Sequence, residues 1–156
     1  MPDAVETAST ESAAGQPGWV TLTPGASHPL AVPLRCWWVP AATDPPRGGV
    51  LVLPAGFGVN AWVRSVAGRL AEEGYAVLAV PLFSRTAPDL ELGYGETDLI
   101  EGRSHKDRTT TSRLLADVCL AADWLQETLP AQATGLGCVG FCFGGHGALL
   151  AATLPQ

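Results

Sequence analysis

Three short apolar runs constrain the fold of this 156-residue chain more than any other feature. They are Val50–Leu53, Tyr75–Val80 and Leu136–Val139. Strands that are buried on both faces, as in a parallel sheet, have this nearly continuous apolar character. The residues between the runs, 60–73 and 111–129, carry apolar side chains at helical spacing. This alternation predicts an α/β fold in which helices cover both faces of a mostly parallel sheet, as three α/β/α layers.

The flanking sequence adds elements at both ends of this alternating core. Trp19–Thr23 and Leu34–Val39 are predicted to form an antiparallel pair of strands around a turn. Gly144–Thr153 is predicted to be a last helix. Residues 84–108 are polar and contain glycine, which indicates a long connection without regular structure and with a functional role or mobility.

Composition excludes several classes of function. The chain has 15 acidic and 9 basic residues, a net charge of −6 and one lysine, so no basic surface is expected to bind nucleic acid. The N-terminus lacks the features of a signal peptide, and no run approaches the roughly 20 apolar residues of a membrane span. We therefore predict a cytoplasmic protein without membrane contact. Its domain is expected over residues 18–156, behind a disordered tail at 1–17 that is rich in Ala, Ser and Thr.

The four cysteines do not have the spacing of a metal site or a disulfide framework. No His, Cys, Asp and Glu cluster has metal-ligand spacing either, and the glycines do not form a phosphate-binding loop, so no metal or cofactor is expected. Cys36, Cys119 and Cys138 are predicted to be buried apolar thiols.

Cys142 differs because it lies at the centre of Gly140-Phe-Cys-Phe-Gly144, between a predicted strand and a predicted helix. This spacing is typical of a nucleophile elbow, a sharp turn that holds a reactive side chain clear of the backbone. The two glycines leave space for close packing. The start of the following helix is expected to lower the pKa of the thiol, and the Phe143 amide is placed to stabilise an oxyanion.

Three motifs resemble those of the dienelactone hydrolase family and occur in the order found in that family: Phe57–Asn60, Phe83–Arg85 and Gly140–Gly145. The resemblance extends from Val50 to the C-terminus. It implies an α/β-hydrolase fold with a Cys-His-Asp triad. It also implies that Cys142 attacks an ester or lactone and forms an acyl-enzyme that water hydrolyses.

The resemblance also assigns roles around the nucleophile. It implies an oxyanion hole formed by the amides of Phe143 and Gly56, with Phe57 in contact with the substrate. Arg85 corresponds to an arginine that holds a substrate carboxylate, which suits the bidentate geometry of a guanidinium. A small ester or lactone with a carboxylate is thus the implied substrate. One departure is Ala55, which occupies the position of a glutamate in the family.

The base and acid of such a triad are not evident. After Cys142 the chain contains neither Asp nor His except His146, which lies on the same predicted helix and should project away from the thiol. No motif places His28 or His105. Two aspartates of the long helix are expected to be solvated: Asp117 and Asp123. The chain is therefore interpreted as the N-terminal part of a hydrolase that is catalytically incomplete by itself.

Two other functions stay open from the sequence: a non-catalytic α/β module for binding or assembly, and a redox sensor that uses an exposed thiol of low pKa. The predicted strand Leu136–Val139 also has a consequence for partners. If no later strand pairs with its far edge, that edge should promote self-association.

Overall fold

The computed structural model describes residues 15–155, which form one sheet and four helices. In chain order the elements are β1 (Gly18–Leu22), β2 (Leu34–Val39), β3 (Gly48–Leu53), α1 (Ala61–Glu72), β4 (Tyr75–Ala79), α2 (Glu96–Asp107), α3 (Thr111–Thr128), β5 (Leu136–Gly140) and α4 (Phe143–Ala151). None of these four helices is long and apolar enough to cross a bilayer.

The five strands are arranged in the order β1-β2-β4-β3-β5. Strand β3 pairs in parallel with both β4 and β5, and β2 pairs antiparallel with β1 and β4. The predicted α/β class, with a parallel unit and an antiparallel N-terminal pair, is confirmed. Because β3, β4 and β5 are parallel, their carboxyl ends meet at one edge of the sheet, where ligands bind in open α/β folds.

Helices cover both faces of the sheet, as the apolar patterns predict. On one face, α1 packs its buried side chains against the sheet: Val63, Ala67 and Ala71 against Val52, Val77 and Ala79. On the other face, α3 buries a row of side chains with the sheet residues opposite: Leu114, Val118 and Leu125 with Leu51, Leu53 and Leu78. The partly buried Leu150 of α4 joins this second cluster. The molecule therefore has three layers.

Local sequence determines where the helices begin and end. Asn60 caps α1, because its Oδ1 accepts a hydrogen bond from the Val63 N–H at 3.2 Å. Thr110 caps α3 in the same manner, and Pro130 follows the end of that helix. Gly74 has a φ of 98°, which allows the chain to turn sharply from α1 into β4.

Residues 84–108 are not irregular throughout, and on this point the sequence prediction was wrong. Helix α2 occupies the second half of this segment. At its start the carboxylate of Asp98 accepts a hydrogen bond from the Gly95 N–H at 3.1 Å. Only Gly102 and His105 of α2 are buried, so the helix lacks the apolar face on which the prediction depended. The Gly95-Glu-Thr-Asp98 cap was the signal available in the sequence.

Strand β5 is at the edge of the described sheet. Its side away from β3 has no partner strand among residues 15–155, and its burial pattern is mostly exposed. Leu136 is 38% exposed, and Cys138 is exposed as well, although the sequence predicted a buried thiol there. Of the three cysteines predicted to be buried, Cys36 is buried and Cys119 is half-buried. Cys138 is open because the edge strand is uncovered.

Candidate active site

Cys142 occupies a strained turn between β5 and α4. Its φ of 52° and ψ of −113° make it the single non-glycine residue with positive φ among residues 15–155. Such backbone conformations cost on the order of 1–3 kcal/mol and persist only where surrounding packing enforces them. The residue caps α4 without a hydrogen bond from its side chain to the helix, and the thiol is exposed. The backbone is thus that of a nucleophile elbow.

Two glycines permit this turn, as their positions in the sequence predicted. A Cβ on Gly144 would lie 2.0 Å from the carbonyl oxygen of Leu53, at the end of β3. A Cβ on Gly140 would lie 2.0 Å from the carbonyl oxygen of Gly144. Both clashes are with backbone atoms, which cannot rotate away. Strand β5, helix α4 and the end of β3 therefore approach at a distance that only glycine allows.

The two amides assigned to the oxyanion hole lie close to this junction. Phe143 is the first residue of α4, so its N–H has no acceptor within the helix. Gly56 follows β3 by three residues, and no backbone hydrogen bond within residues 15–155 uses its N–H. Gly144 lies against the carbonyls of Leu53 and Pro54, which brings the start of α4 beside the loop that carries Gly56.

Helix α2 supports the Gly56 loop from the other side. A Cβ on Gly102 would lie 2.2 Å from the carbonyl oxygen of Gly56, so the helix backbone contacts the loop directly. The sequence did not indicate this role, because Gly102 belongs to the segment predicted to be irregular. Helix α2 thus packs against the Gly56 loop, and the start of α4, which carries Phe143, lies beside the same loop.

The pKa values of the other three thiols are raised above the ordinary value of 9.0. Burial raises the pKa of Cys36 far above its ordinary value of 9.0, and the nearby Asp117 raises it further. Burial raises the pKa of Cys119, with an additional contribution from Asp123. Although Cys138 is exposed as a residue, partial desolvation of its thiol raises its pKa to about 11. With raised pKa values, these three cysteines are mainly protonated at neutral pH. The thiolate, and not the protonated thiol, is the reactive form of cysteine.

An aromatic cavity of about 290 Å³ opens beside the elbow. Its wall is formed by residues of the β3–α1 loop and α1, with one residue from each of two other segments: Ala55, Phe57, Gly58, Asn60, Trp62, Val63, Tyr94 and Phe141. Two edge-to-face pairs build the wall, Phe57 with Tyr94 and Trp62 with Phe141, with ring centroids 4.8 and 4.9 Å apart. Cys142 itself is outside the wall, directly after Phe141 in the chain.

Arg85 lies away from this cavity and is paired with Asp117 of α3. Its guanidinium donates to both carboxylate oxygens, at 2.9 and 3.2 Å, and to the Leu30 carbonyl at 2.5 Å. Ser84 Oγ donates to the same carboxylate. The described arrangement therefore commits Arg85 to an internal ion pair, in contrast to the substrate contact that the family resemblance implies.

Asp117 is 1% exposed, so the expectation that it is solvated was wrong. Burial raises its pKa above the ordinary 3.8, and the hydrogen bonds from Ser84 and Arg85 oppose this shift without cancelling it. Asp123 on the same helix is exposed and contacts His28, with 2.8 Å between Oδ2 and Nε2. The buried ion pair was not visible from the sequence, because Arg85 comes from the loop after β4, 32 residues before Asp117.

None of the three described histidines has a hydrogen bond to the Cys142 thiol. His105 Nδ1 lies 3.1 Å from an Arg108 amino group, which can only donate, so the ring proton is assigned to Nε2. Its ring stacks on Phe83, which in turn stacks on Phe143, with 5.7 Å between centroids in both pairs. The exposed His146 ring lies alongside Phe143, at 6.3 Å. Among residues 15–155 the rings of His105 and His146 therefore have their polar and aromatic contacts with residues other than Cys142.

A metal centre is not formed by the described residues, in which no three His, Cys, Asp or Glu side chains are grouped closely enough to hold an ion. The site consists of an exposed thiol on a strained turn, two candidate amide donors and an apolar cavity. This combination defines an α/β protein of the nucleophile-elbow class.

The chain belongs to the dienelactone hydrolase family, whose model matches residues 38–156. A Synechocystis sp. protein named "Putative carboxymethylenebutenolidase" is 37% identical over 106 residues, which cover 68% of this chain and 43% of that protein. A Bradyrhizobium sp. protein named "Probable 2-oxo-3-(5-oxofuran-2-ylidene)propanoate lactonase" is 36% identical over 107 residues, or 68% of this chain and 41% of that protein.

A solved structure agrees with these relatives. The crystal structure of a Klebsiella pneumoniae protein named "Putative Dienelactone Hydrolase" superposes with a TM-score of 0.62 at 30% identity, covering 77% of this chain and 49% of that one. The chain thus spans less than half the length of each of these three relatives. The comparisons establish a hydrolase family and fold.

Proposed function

We propose that the chain carries the nucleophile of a carboxylic ester or lactone hydrolase, and that Cys142 is this nucleophile. The observation that supports the assignment most directly is the positive φ of Cys142 between two glycines that contact backbone carbonyls. An ordinary strand-to-helix turn does not require a non-glycine residue in this strained conformation, and such residues cluster at functional sites. The names of the relatives, a carboxymethylenebutenolidase and a lactonase, support the substrate class.

In the proposed reaction, the Cys142 thiolate adds to the carbonyl carbon of the substrate. A sulfur–carbon bond forms, and the carbonyl electron pair moves to oxygen. The amides of Phe143 and Gly56 stabilise this oxyanion through hydrogen bonds. When the intermediate collapses, the carbon–oxygen bond of the ester breaks and the alcohol leaves with a proton from solvent, so that the acyl group remains on the thiol. Water would then hydrolyse the thioester.

The second half of this reaction needs a base, and none of the described histidines has a hydrogen bond to the Cys142 thiol. His28 pairs with Asp123, His105 is bound to Arg108, and the His146 ring lies along Phe143. We therefore infer that residues 15–155 provide the nucleophile and oxyanion donors for acylation, whereas rapid deacylation depends on a base beyond these residues.

An activated ester tests this division of roles. With excess p-nitrophenyl acetate, we expect about one equivalent of p-nitrophenolate per chain and little turnover afterwards, since a thioester without a positioned base hydrolyses slowly. Mass spectrometry should locate the acetyl group on Cys142. The variant Cys142→Ser should give no burst, while Cys138→Ser removes an exposed thiol close in sequence and should keep it.

Two outcomes would contradict the proposal in different ways. An acetyl group on Cys138 or Cys119 in place of Cys142 would show that the elbow does not activate its thiol. Sustained turnover that Cys142→Ser abolishes would instead show that one of the described histidines acts as the base.

We also propose that the free edge of β5 binds a second copy of this chain. The strand Leu136–Gly140 contains no charged residue and no proline, the features with which natural edge strands prevent such pairing. Light scattering after size-exclusion chromatography should therefore show dimers or larger species. Leu136→Lys should shift the chain towards monomer, and Ile100→Lys, at an exposed site on α2, should not. A wild-type chain that is fully monomeric at high concentration would contradict this proposal.

A further inference from the structure

The aromatic cavity beside the elbow has a composition that selects among substrates. Its eight wall residues include four aromatic rings and no charged side chain. A cavity of about 150 Å³ is enough to bind benzene when its walls are apolar. The 290 Å³ available here thus accommodates a phenyl-sized group with space for its substituents.

The rings of the wall are already held in fixed orientations. Phe57 and Tyr94 pack edge to face, as do Trp62 and Phe141, and such arrangements favour a further aromatic ring over an aliphatic group of similar size. Trp62 is 44% and Tyr94 is 64% exposed, so both have apolar surface that a ligand can cover. The cavity is therefore preorganised for an aromatic guest.

The polar groups of the cavity limit the charge of this guest. Asn60 is fully used: Oδ1 accepts from Val63, and Nδ2 donates to the Leu92 carbonyl at 3.2 Å and to the Tyr94 hydroxyl oxygen at 3.1 Å. The Tyr94 hydroxyl accepts this bond and keeps its own proton for a ligand. One neutral donor suits a neutral acceptor such as a carbonyl or ether oxygen, and it is insufficient for a buried carboxylate.

The cation that would bind a carboxylate is engaged elsewhere. Arg85 is bound to both oxygens of Asp117 and lies outside the cavity wall. A ligand carboxylate would have to displace a buried carboxylate that also holds Ser84. The family resemblance implies that Arg85 binds a substrate carboxylate. In the structure, the Asp117 carboxylate occupies that position on the guanidinium.

The position of the cavity connects it to the proposed reaction. Phe141 precedes the nucleophile, and Ala55 precedes the Gly56 amide, so the wall touches both sides of the oxyanion site. Alanine at position 55 contributes a methyl group where the family resemblance implies a glutamate. A ring in the cavity would hold its attached carbonyl close to the thiol.

We infer that this site selects neutral substrates that carry an aromatic ring next to the reacting carbonyl, in preference to carboxylate-bearing ones. The inference rests on the proposed role of Cys142. It assigns Phe57, Trp62, Tyr94 and Phe141 to substrate specificity and removes Arg85 from that role.

Three matched bromomethyl ketones test the inference without need of a catalytic base. They are 2-bromoacetophenone, its 4-carboxylate derivative and the aliphatic 1-bromo-3,3-dimethyl-2-butanone. In each case Cys142 Sγ attacks the CH₂ carbon, the sulfur–carbon bond forms, the carbon–bromine bond breaks, bromide leaves and the thiol proton passes to solvent. Rates on Cys142, measured by mass spectrometry, are divided by the rate of each reagent with glutathione.

The normalised rate of the phenyl reagent should exceed that of the aliphatic reagent by about tenfold, the factor that corresponds to an aromatic contact of roughly 1.4 kcal/mol. The carboxylate derivative should be slower than the phenyl reagent. Tyr94→Leu should bring the phenyl-to-aliphatic ratio close to one. Tyr75→Leu, at the start of β4 and thus at the opposite end of the parallel strands, should leave this ratio unchanged.

Equal normalised rates for the phenyl and aliphatic reagents would overturn the inference, and so would a preference for the carboxylate derivative. Either result, with Cys142 still the main site of modification, leaves the nucleophile assignment intact. If Cys142 is not modified faster than Cys138 by any of the three reagents, the proposed function fails as well.

Discussion

Gly144→Ala is expected to disrupt the elbow and to slow the reaction of Cys142. The new methyl group would lie 2.0 Å from the Leu53 carbonyl oxygen and 2.5 Å from the Pro54 carbonyl oxygen, and both are backbone atoms at the end of β3. Relief requires that α4 move away from β3, which should lower the free energy of unfolding by about 1–3 kcal/mol. Displacement of α4 would also relax the strained φ of Cys142.

The matched control is Gly145→Ala on the same helix. Its methyl group would lie 3.5 Å from the Gly140 carbonyl oxygen, which is ordinary contact, and alanine favours helix over glycine by roughly 1 kcal/mol. This variant should be as stable as wild type or more stable. Denaturant unfolding gives the stability of both variants, and iodoacetamide labelling gives the rate at Cys142.

In Gly144→Ala we expect iodoacetamide to label Cys142 at least about tenfold more slowly under native conditions. This factor corresponds to an increase of about 1.4 kcal/mol in the activation free energy. A Gly144→Ala chain with wild-type stability and wild-type labelling would show that α4 is not held at the distance described, and the elbow assignment would then be wrong.

Asp117→Ala is expected to have the largest effect on stability outside the elbow. Removal of this carboxylate leaves Arg85 and Ser84 without their shared acceptor, and loss of one partner from a buried ion pair typically costs about 3–5 kcal/mol. Asp123→Ala is the control, because Asp123 has the same charge on the same helix but is 59% exposed, and exposed pairs contribute less than about 1 kcal/mol. Equal losses in chemical denaturation would contradict the buried pair.

The same carboxyl group predicts a specific pH dependence. Burial raises the pKa of Asp117 in the folded chain, so the folded state binds a proton more tightly than the unfolded state, whose value is the ordinary 3.8. The contribution of this group to stability is therefore greatest below 3.8 and decreases as the pH rises through the raised value. The difference in unfolding free energy between wild type and Asp117→Asn should decrease over this interval. A difference that grows with pH would contradict the direction of the shift.

The sequence was sufficient for the parallel part of the fold. Strands β3 and β4 and helices α1 and α3 are marked by apolar runs and helical periodicity, and these patterns depend on burial that is similar in every protein of this class. Helix α2 was not predicted, because its buried residues are Gly102 and His105 and it has no apolar face. The spacing of apolar residues identifies helices that bury an apolar face, and α2 has no such face.

Within the site, the sequence predicted what local geometry requires and missed what tertiary contacts determine. The Gly140-Phe-Cys-Phe-Gly144 spacing was enough to predict the strained turn, because only glycine tolerates those contacts. The ion pair joins Arg85, in the loop after β4, to Asp117 on α3, and nothing in either segment alone indicates it. Motif position could thus suggest that Arg85 binds a ligand, whereas its actual partner became visible only from the packing.

The register of β3 with β5 has a consequence for the order of events during folding. Leu53 pairs with Gly140, directly before the elbow, yet α1, β4, α2 and α3 lie between these two residues in the chain. Closing so long a loop carries a large entropic cost, so this pairing should form late. Until it does, the Leu53 carbonyl is not beside Gly144, and nothing holds Cys142 at a positive φ. The reactive geometry of the thiol is therefore a property that the chain acquires only when β3 and β5, the paired strands with the greatest separation in sequence, meet.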